Sequence, residues 1–360
     1  MNDLQSEVGR GTYVEPSKLT VAEYLAEWLD ISRARLRPGS HDTCAIHVNR
    51  YIVPRIGDLR LQALSPRRIK QFYGELARNG RLRGGGGLGD KTIHNIHSTL
   101  SRALKEAVAD RLLPSNPAAG AHQQPESPEQ ATWTADQLKV FLAFIAGDRL
   151  AAMWRLLALT GMRRGEVAGL RRRDLDLDNG RLFIVQQRAK GGGTVNIGRT
   201  KGRRGRAIAL DAGTVKALQA HLDQQAHERQ LLGSGYTDHG YAFAHVDGRP
   251  LHPDSITKRF IRLCAQSGLP ALTPHGLRHT HATLLLQAGI HPKVVQERLG
   301  HSTISVTYDT YTHSVPGLQD DAAERAARLL VDLDAGDEVD NKDARDNDER
   351  DGQADDADPS

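Results

Sequence analysis

Cysteine is scarce: only Cys44 and Cys264 occur in 360 residues, far apart, so they read as reduced thiols rather than a disulfide framework. Long apolar runs are missing too. A membrane helix needs roughly 18 apolar residues, whereas stretches such as ATLLLQAG (282–289) have only the length of a core segment. The opening MNDLQSEVGR is polar and of mixed charge, which speaks against a secretory signal. Three near-motifs lack a decisive residue. In GGGGLGDKT (84–92), Asp90 separates Gly89 from Lys91 and no strand precedes, so a phosphate-cradling nucleotide loop would not form. In DLDLDNG (174–180) the glycine arrives one place late for a calcium loop, and Val185 stands where the bidentate Glu belongs. HGLRHTH (275–281) carries His275 and His279 at zinc-helix spacing, but Gly276 replaces the neighbouring Glu and no Cys cluster or upstream carboxylate completes a ligand set.

What is present is positive charge, unevenly distributed. The net charge is only +4. Residues 332–360 hold thirteen Asp or Glu against three Lys or Arg, a net of −10, so the rest of the chain carries +14. A basic body points to a polyanionic partner, nucleic acid above all. The acidic segment has almost no apolar residues, so it is expected to be disordered, either a solubilising tail or a competitor for the basic surface.

Residues 18–115 read as a helical domain after an N-terminal tail, 1–17. Thr20 and Glu23 form a capping box ahead of VAEYLAEWLDISRARL, and Ser65-Pro66 opens PRRIKQFYGELARNG. A further helix follows Asp90 and another covers about 41–53, with a flexible Gly-rich loop, GRLRGGGGLGD, between the helices opened by Pro66 and Asp90. The Pro-, Ala- and Gln-rich segment 116–132 reads as a linker. A second domain, 133–316, opens at the capping box Thr134/Gln137. It runs through helices to about 170, turns at Asn179-Gly180, continues through strand-like RLFIVQQ, TVNIG and RAIAL, and is helical from Asp211 except near FAHVDGRPL. An amphipathic helix at 317–331 would either dock on a neighbouring copy or pack at home.

His275 and Arg278 lie three apart, so a helix presents imidazole and guanidinium on one face, a pairing suited to phosphate. The other groups that phosphodiester chemistry needs occur in order. LTGMRRGEVAGL holds Arg163 and Glu166, GRTKGRRGRAIAL holds Lys201 at a turn, and ERLGHSTISVTYDTYTH holds His301 and Tyr311 ten residues apart. Each has a plainer reading: Arg163 with Glu166 as a surface pair, Lys201 as one solvated charge among Arg199, Arg203, Arg204 and Arg206, His275 as a cap, His301 as a packing residue. Together and in this order they resemble the tyrosine recombinase (phage integrase) family, across most of residues 18–316.

The resemblance implies a two-domain fold: an all-α core-site-binding bundle and a mixed, mainly α catalytic domain with a small antiparallel sheet, gripping DNA as a C-shaped clamp. It implies that Arg163, Lys201, His275, Arg278, His301 and Tyr311 fill the six active-site positions and Glu166 the acidic supporting one. Chemically, Arg163 and Arg278 would clamp the phosphate, Tyr311 would attack to give a 3′-phosphotyrosyl enzyme, Lys201 would protonate the departing 5′ oxygen and His301 would donate to a phosphate oxygen, with no metal or ATP required. Tyr308 competes as nucleophile, but the TYTH context and the spacing from His301 favour Tyr311. Arg68, Arg164, Arg171, Arg172, Arg199, Arg203 and Arg204 are candidate phosphate contacts that position DNA without reading it.

The implied partners are double-stranded recombination sites, a homotetramer on DNA and accessory bending or directionality factors. A cytoplasmic, nucleoid-associated protein is expected. Alternatives are a chromosome-dimer-resolving recombinase, a catalytically silent DNA-binding protein and a metal-dependent nuclease. Many integrases carry a further N-terminal domain, for which the nineteen residues before Thr20 are too few.

Overall fold

The computed structural model describes residues 14–125, 131–191, 194–199 and 205–300. The described residues form two compact units, divided after His281. The first unit begins with five helices: α1 (Val21–Arg35), α2 (Pro38–His47), α3 (Val53–Ile56), α4 (Pro66–Asn79) and α5 (Asp90–Ala109). The Thr20 hydroxyl caps α1 by accepting from Glu23 N at 3.2 Å, while the Glu23 carboxylate accepts from Thr20 N at 2.8 Å. The buried face of α1 follows helical spacing, Val21, Tyr24, Leu25, Trp28 and Leu29. It meets Ile69, Phe72 and Leu76 of α4 and Ile96, Leu100 and Leu104 of α5 in one apolar core.

The expected helix at 41–53 is longer, spanning 38–56, and its middle widens into a π-helical stretch at Val48–Ile52. Pro54 has no N–H to give, so the ladder shifts there and Val53 N donates to Val48 O. The Gly-rich loop closes on itself and on α4: Arg81 N donates to Gly86 O at 3.0 Å and Leu88 N to Leu76 O at 2.9 Å. The start of the expected linker also folds onto the helices, with Ala118 fully buried and Asn116 Nδ2 donating to Ser101 O at 3.0 Å.

The remainder of the first unit is mixed. Helices α6 (Ala135–Phe144), α7 (Ala151–Thr160) and α8 (Arg164–Gly169) lead into short strands β1 (Leu175–Asp176), β2 (Arg181–Ile184), β3 (Gln186–Gly191), β4 (Thr194–Arg199) and β5 (Arg206–Ala209). Helices α9 (Ala212–Leu232) and α10 (Pro253–Gln266) follow, and α11 (Pro274–Gln287) starts in this unit and ends in the second. All strand pairs are antiparallel, in a three-stranded sheet β1-β2-β5 and a hairpin β3-β4. Thus RLFIVQQ, which reads as one strand, is divided after Ile184. Leu182 and Ile184 of β2 face the core, whereas Gln186 of β3 turns to donate to Gly169 O at 2.7 Å. Trp133, Phe141, Trp154 and Phe260 tie α6, α7 and α10 together, with ring centroids 5.1–6.0 Å apart.

Two glycines set the backbone that carries the site. Gly161 ends α7 at φ +62°, a conformation that favours glycine. Gly169 lets α8 lie directly on β3, where a Cβ would come within 3.0 Å of Gln187 Cα. Gly169→Val is therefore expected to cost about 1–3 kcal/mol through forced separation of α8 from β3. Denaturant melts read this directly, and an unchanged midpoint would show that the two elements separate freely.

In the second unit, α12 (Pro292–Leu299) is capped by His291, whose Nδ1 accepts from Lys293 N at 3.1 Å. Val295 and Leu299 share a small apolar cluster with Ala282, Leu285 and Leu286. The expectations for the helix at 317–331 and the acidic tail lie outside the described residues. No described helix is long and apolar enough to cross a membrane.

Candidate active site

The turn from α7 to α8 delivers the first arginine. Arg163 is the N-cap of α8, and its backbone N–H donates to Glu166 Oε2 at 2.9 Å, one half of a capping box, since a guanidinium cannot accept the other hydrogen bond. The same side chains meet again, Arg163 Nη1 donating to Glu166 Oε1 at 2.9 Å. The sequence alone allows a surface pair here. Glu166 is instead only 1% exposed, while the Arg163 side chain keeps 30%.

A residue that the sequence reading leaves among the solvated charges completes this carboxylate. Arg206, at the start of β5, donates from Nη1 to Glu166 Oε1 at 3.0 Å and from Nη2 to Oε2 at 2.8 Å. Burial pushes the Glu166 carboxyl up, but the hydrogen bonds and charges of Arg206 and Arg163 outweigh it and hold the group below its ordinary range. Glu166 is accordingly an ionised, buried link between two cations. The separation of forty residues hid it, since helix-face arithmetic finds partners only three or four apart.

The second arginine arrives on α11. Arg278 is 2% exposed, and its Nη1 donates to the carbonyl of Gly161 at 2.7 Å. One guanidinium nitrogen is thereby fixed to the turn that carries Arg163. His275 stands one helical turn before Arg278 and within the field of both arginines. Desolvation, then Arg278 and Arg163, lower its pKa, so it is neutral at pH 7. The His279 ring packs edge-on against His275, centroids 4.5 Å apart, and burial pushes its pKa down to about 4. Among the described residues no group of three or more His, Cys, Asp or Glu side chains is arranged to hold a metal ion.

Arg163, Glu166, His275 and Arg278 thus come together. Lys201, His301, Tyr308 and Tyr311 lie outside the described residues, as do Arg203 and Arg204, while Arg199 is the last residue of β4. The other candidate phosphate contacts all have protein partners. Arg68 donates to Glu75 Oε1 at 3.0 Å, and Arg164 to Thr257 Oγ1 at 2.8 Å with 47% of its side chain exposed. Arg171 stacks on Tyr241 and donates to His239 O. Arg172 Nη2 donates to both carboxylate oxygens of Asp238 at 2.6–2.7 Å. The sequence reading missed a further basic face. Arg67, Lys70 and Arg78 line an open groove along α4, all exposed and at helical spacing that could have revealed them.

Residues 132–317 match the phage integrase family, and residues 20–77 match the N-terminal SAM-like domain of phage integrases. A tyrosine recombinase XerC-like protein of Caldanaerobacter subterraneus subsp. tengcongensis is 26% identical over 350 residues, covering 90% of this chain and 87% of that protein. The ICEBs1 integrase of Bacillus subtilis is 25% identical over 299 residues, 82% of this chain and 79% of its own. In fold, the chain resembles a Tn1549 transposon integrase solved with transposon right-end DNA, at a TM-score of 0.72 and 24% identity, covering 86% of this chain and all of that one. The helical part, the mainly α second part and its antiparallel strands are therefore the fold of a tyrosine recombinase. The chain belongs to the phage integrase family, enzymes that break and rejoin DNA strands.

Proposed function

We propose that this recombinase is the integrase of a phage or other mobile element, acting on paired double-stranded core sites without a metal. The observation that carries the mechanism is the convergence of Arg163, held by buried Glu166, and buried Arg278, held by Gly161, around a neutral His275. Two fixed guanidinium groups supply the charge that nonbridging phosphate oxygens need as the phosphorus becomes five-coordinate. The Tyr311 oxygen attacks phosphorus, the bond to the 5′ oxygen breaks, and Lys201 gives that oxygen a proton. His275 accepts or shares the tyrosine proton, and His301 donates to a phosphate oxygen. A 5′ hydroxyl from the other site then reverses the step, so the phosphodiester energy is conserved.

Residues 18–115 serve as the core-site-binding domain, 116–132 as the linker and 133–316 as the catalytic domain. The surface of the helical part continues into the first residues of that linker. Arg67, Lys70 and Arg78 join Arg68, Arg164, Arg171, Arg172, Arg199, Arg203 and Arg204 as contacts to the DNA backbone. The working form is a homotetramer on two DNA sites, assisted by accessory bending or directionality factors, in the cytoplasm at the nucleoid.

Nicked duplexes built from DNA flanking the gene, incubated with excess chelator, test this reading. Wild type and Tyr308→Phe are expected to form an SDS-resistant protein–DNA adduct, and Tyr311→Phe none. An adduct lost only in Tyr308→Phe moves the nucleophile. DNA binding with no adduct from any of the three, on several candidate sites, supports a silent DNA-binding protein instead.

A further inference from the structure

We infer that Arg206 is a positioning residue for strand cleavage, holding Glu166 so that the Arg163 guanidinium stays turned towards the DNA phosphate. The inference rests on the reading above that Arg163 clamps that phosphate.

Four hydrogen bonds converge on the Glu166 carboxylate. Two come from Arg163, through its backbone N–H and Nη1, and two from the Arg206 fork. A carboxylate offers about four lone-pair directions, so it is saturated. If Arg206 were absent, two acceptor positions on a carboxylate that is 1% exposed would be empty, with little water to fill them. Arg163, which already donates to this carboxylate through its backbone N–H and Nη1, is the donor that the loss would draw in. Its guanidinium would swing into a two-pronged pair with Glu166, the geometry arginine and carboxylate adopt most readily. A group turned inwards in this way no longer faces a phosphate.

Charge gives the same answer. One carboxylate beside one arginine is neutral, which would cancel the attraction that Arg163 offers to a phosphate. With Arg206 the trio carries a net +1, and the Arg163 side chain, 30% exposed against 14% for Arg206, is its outer member. Arg206 is also firmly based. Its backbone pairs with Ile184 in the three-stranded sheet, whereas Arg163 stands on a turn. The sheet thus fixes the carboxylate, and the carboxylate fixes the turn. Lysine cannot reproduce this, because one ammonium does not fork across both oxygens.

The test is single-turnover adduct formation on a nicked core-site duplex by wild type, Arg206→Gln, Arg206→Lys, Arg163→Ala and the double variant Arg163→Ala/Arg206→Gln, with duplex affinity measured alongside. Arg206→Gln is expected to slow cleavage by about 10²-fold, the scale of one lost oxyanion donor, while affinity stays within about threefold, because most phosphate contacts remain. Arg206→Lys should fall between Gln and wild type, and it carries the test if Arg206→Gln melts below the assay temperature. The double variant should cleave no more slowly than Arg163→Ala. On a duplex with a neutral methylphosphonate at the scissile position, which asks less of Arg163, the deficit of Arg206→Gln should shrink. Wild-type cleavage by both Arg206 variants, or losses that multiply with Arg163→Ala, or an undiminished deficit on the methylphosphonate, would overturn the inference. Wild-type cleavage by Arg163→Ala would instead overturn the assignment of Arg163 itself.

Discussion

Arg278→Ala is expected to slow strand cleavage by about three orders of magnitude at saturating DNA, as when an arginine that stabilises a phosphoryl transition state is lost. The side chain is among the largest fully buried ones of the described residues, yet it is a cation on a helix face beside His275 and the Arg163 turn. A buried charge of this kind is retained where its field is used. Its anchor on Gly161 O at 2.7 Å holds the plane of the guanidinium before substrate arrives, so little reorganisation remains for the transition state. Arg278→Lys should recover little of the rate, because a single ammonium cannot hold the Gly161 carbonyl and also fork onto a phosphate. Single-turnover adduct formation, measured with thermal melts to establish that the variant is folded, checks this. Cleavage by folded Arg278→Ala within tenfold of wild type would make the residue a packing element of α11.

Much of this architecture is legible in the sequence because the signals are local. The capping boxes at Thr20/Glu23 and Thr134/Gln137 and the cap at Ser65 are all present, since each is decided by a hydroxyl and a backbone N–H three residues apart. The turn at Asn179-Gly180 joins β1 to β2, with Gly180 at φ +59°. Where the sequence misleads, a distant group decides. RLFIVQQ alternates like one strand, but the carbonyl of Gly169 draws Gln186 into a separate hairpin. Arg171 and Arg172 read as candidate phosphate contacts, and their partners Tyr241 and Asp238, about seventy residues away, leave no mark on the local sequence. The site divides in the same manner. Arg163, Glu166, His275 and Arg278 are recognisable from short-range context, whereas Arg206 becomes visible only when β5 is brought beside α8.

Glu166→Gln is expected to destabilise the fold by about 3–5 kcal/mol at neutral pH, the range for breaking a buried ion pair by removing one partner. The amide would turn N–H donors towards two guanidinium groups that already donate, and would remove the negative charge that both arginines share. The pH dependence follows from the direction of the Glu166 shift. Its carboxyl titrates lower in the folded protein than in the unfolded chain, because Arg206 and Arg163 favour the ionised form by more than burial disfavours it. A depressed carboxyl contributes stability that is fully present above the unfolded value near 4.5 and is lost as pH falls through the folded value. The gap between wild type and Glu166→Gln should therefore be widest at neutral pH and narrow below about pH 4.5, as wild type itself becomes protonated. His279, pushed down to about 4, adds acid lability of the same sign to both proteins, so the difference between them isolates Glu166. Thermal melts of the pair from pH 7 downwards measure that difference, and a gap that stays constant with pH would mean that Glu166 is already protonated in the folded enzyme.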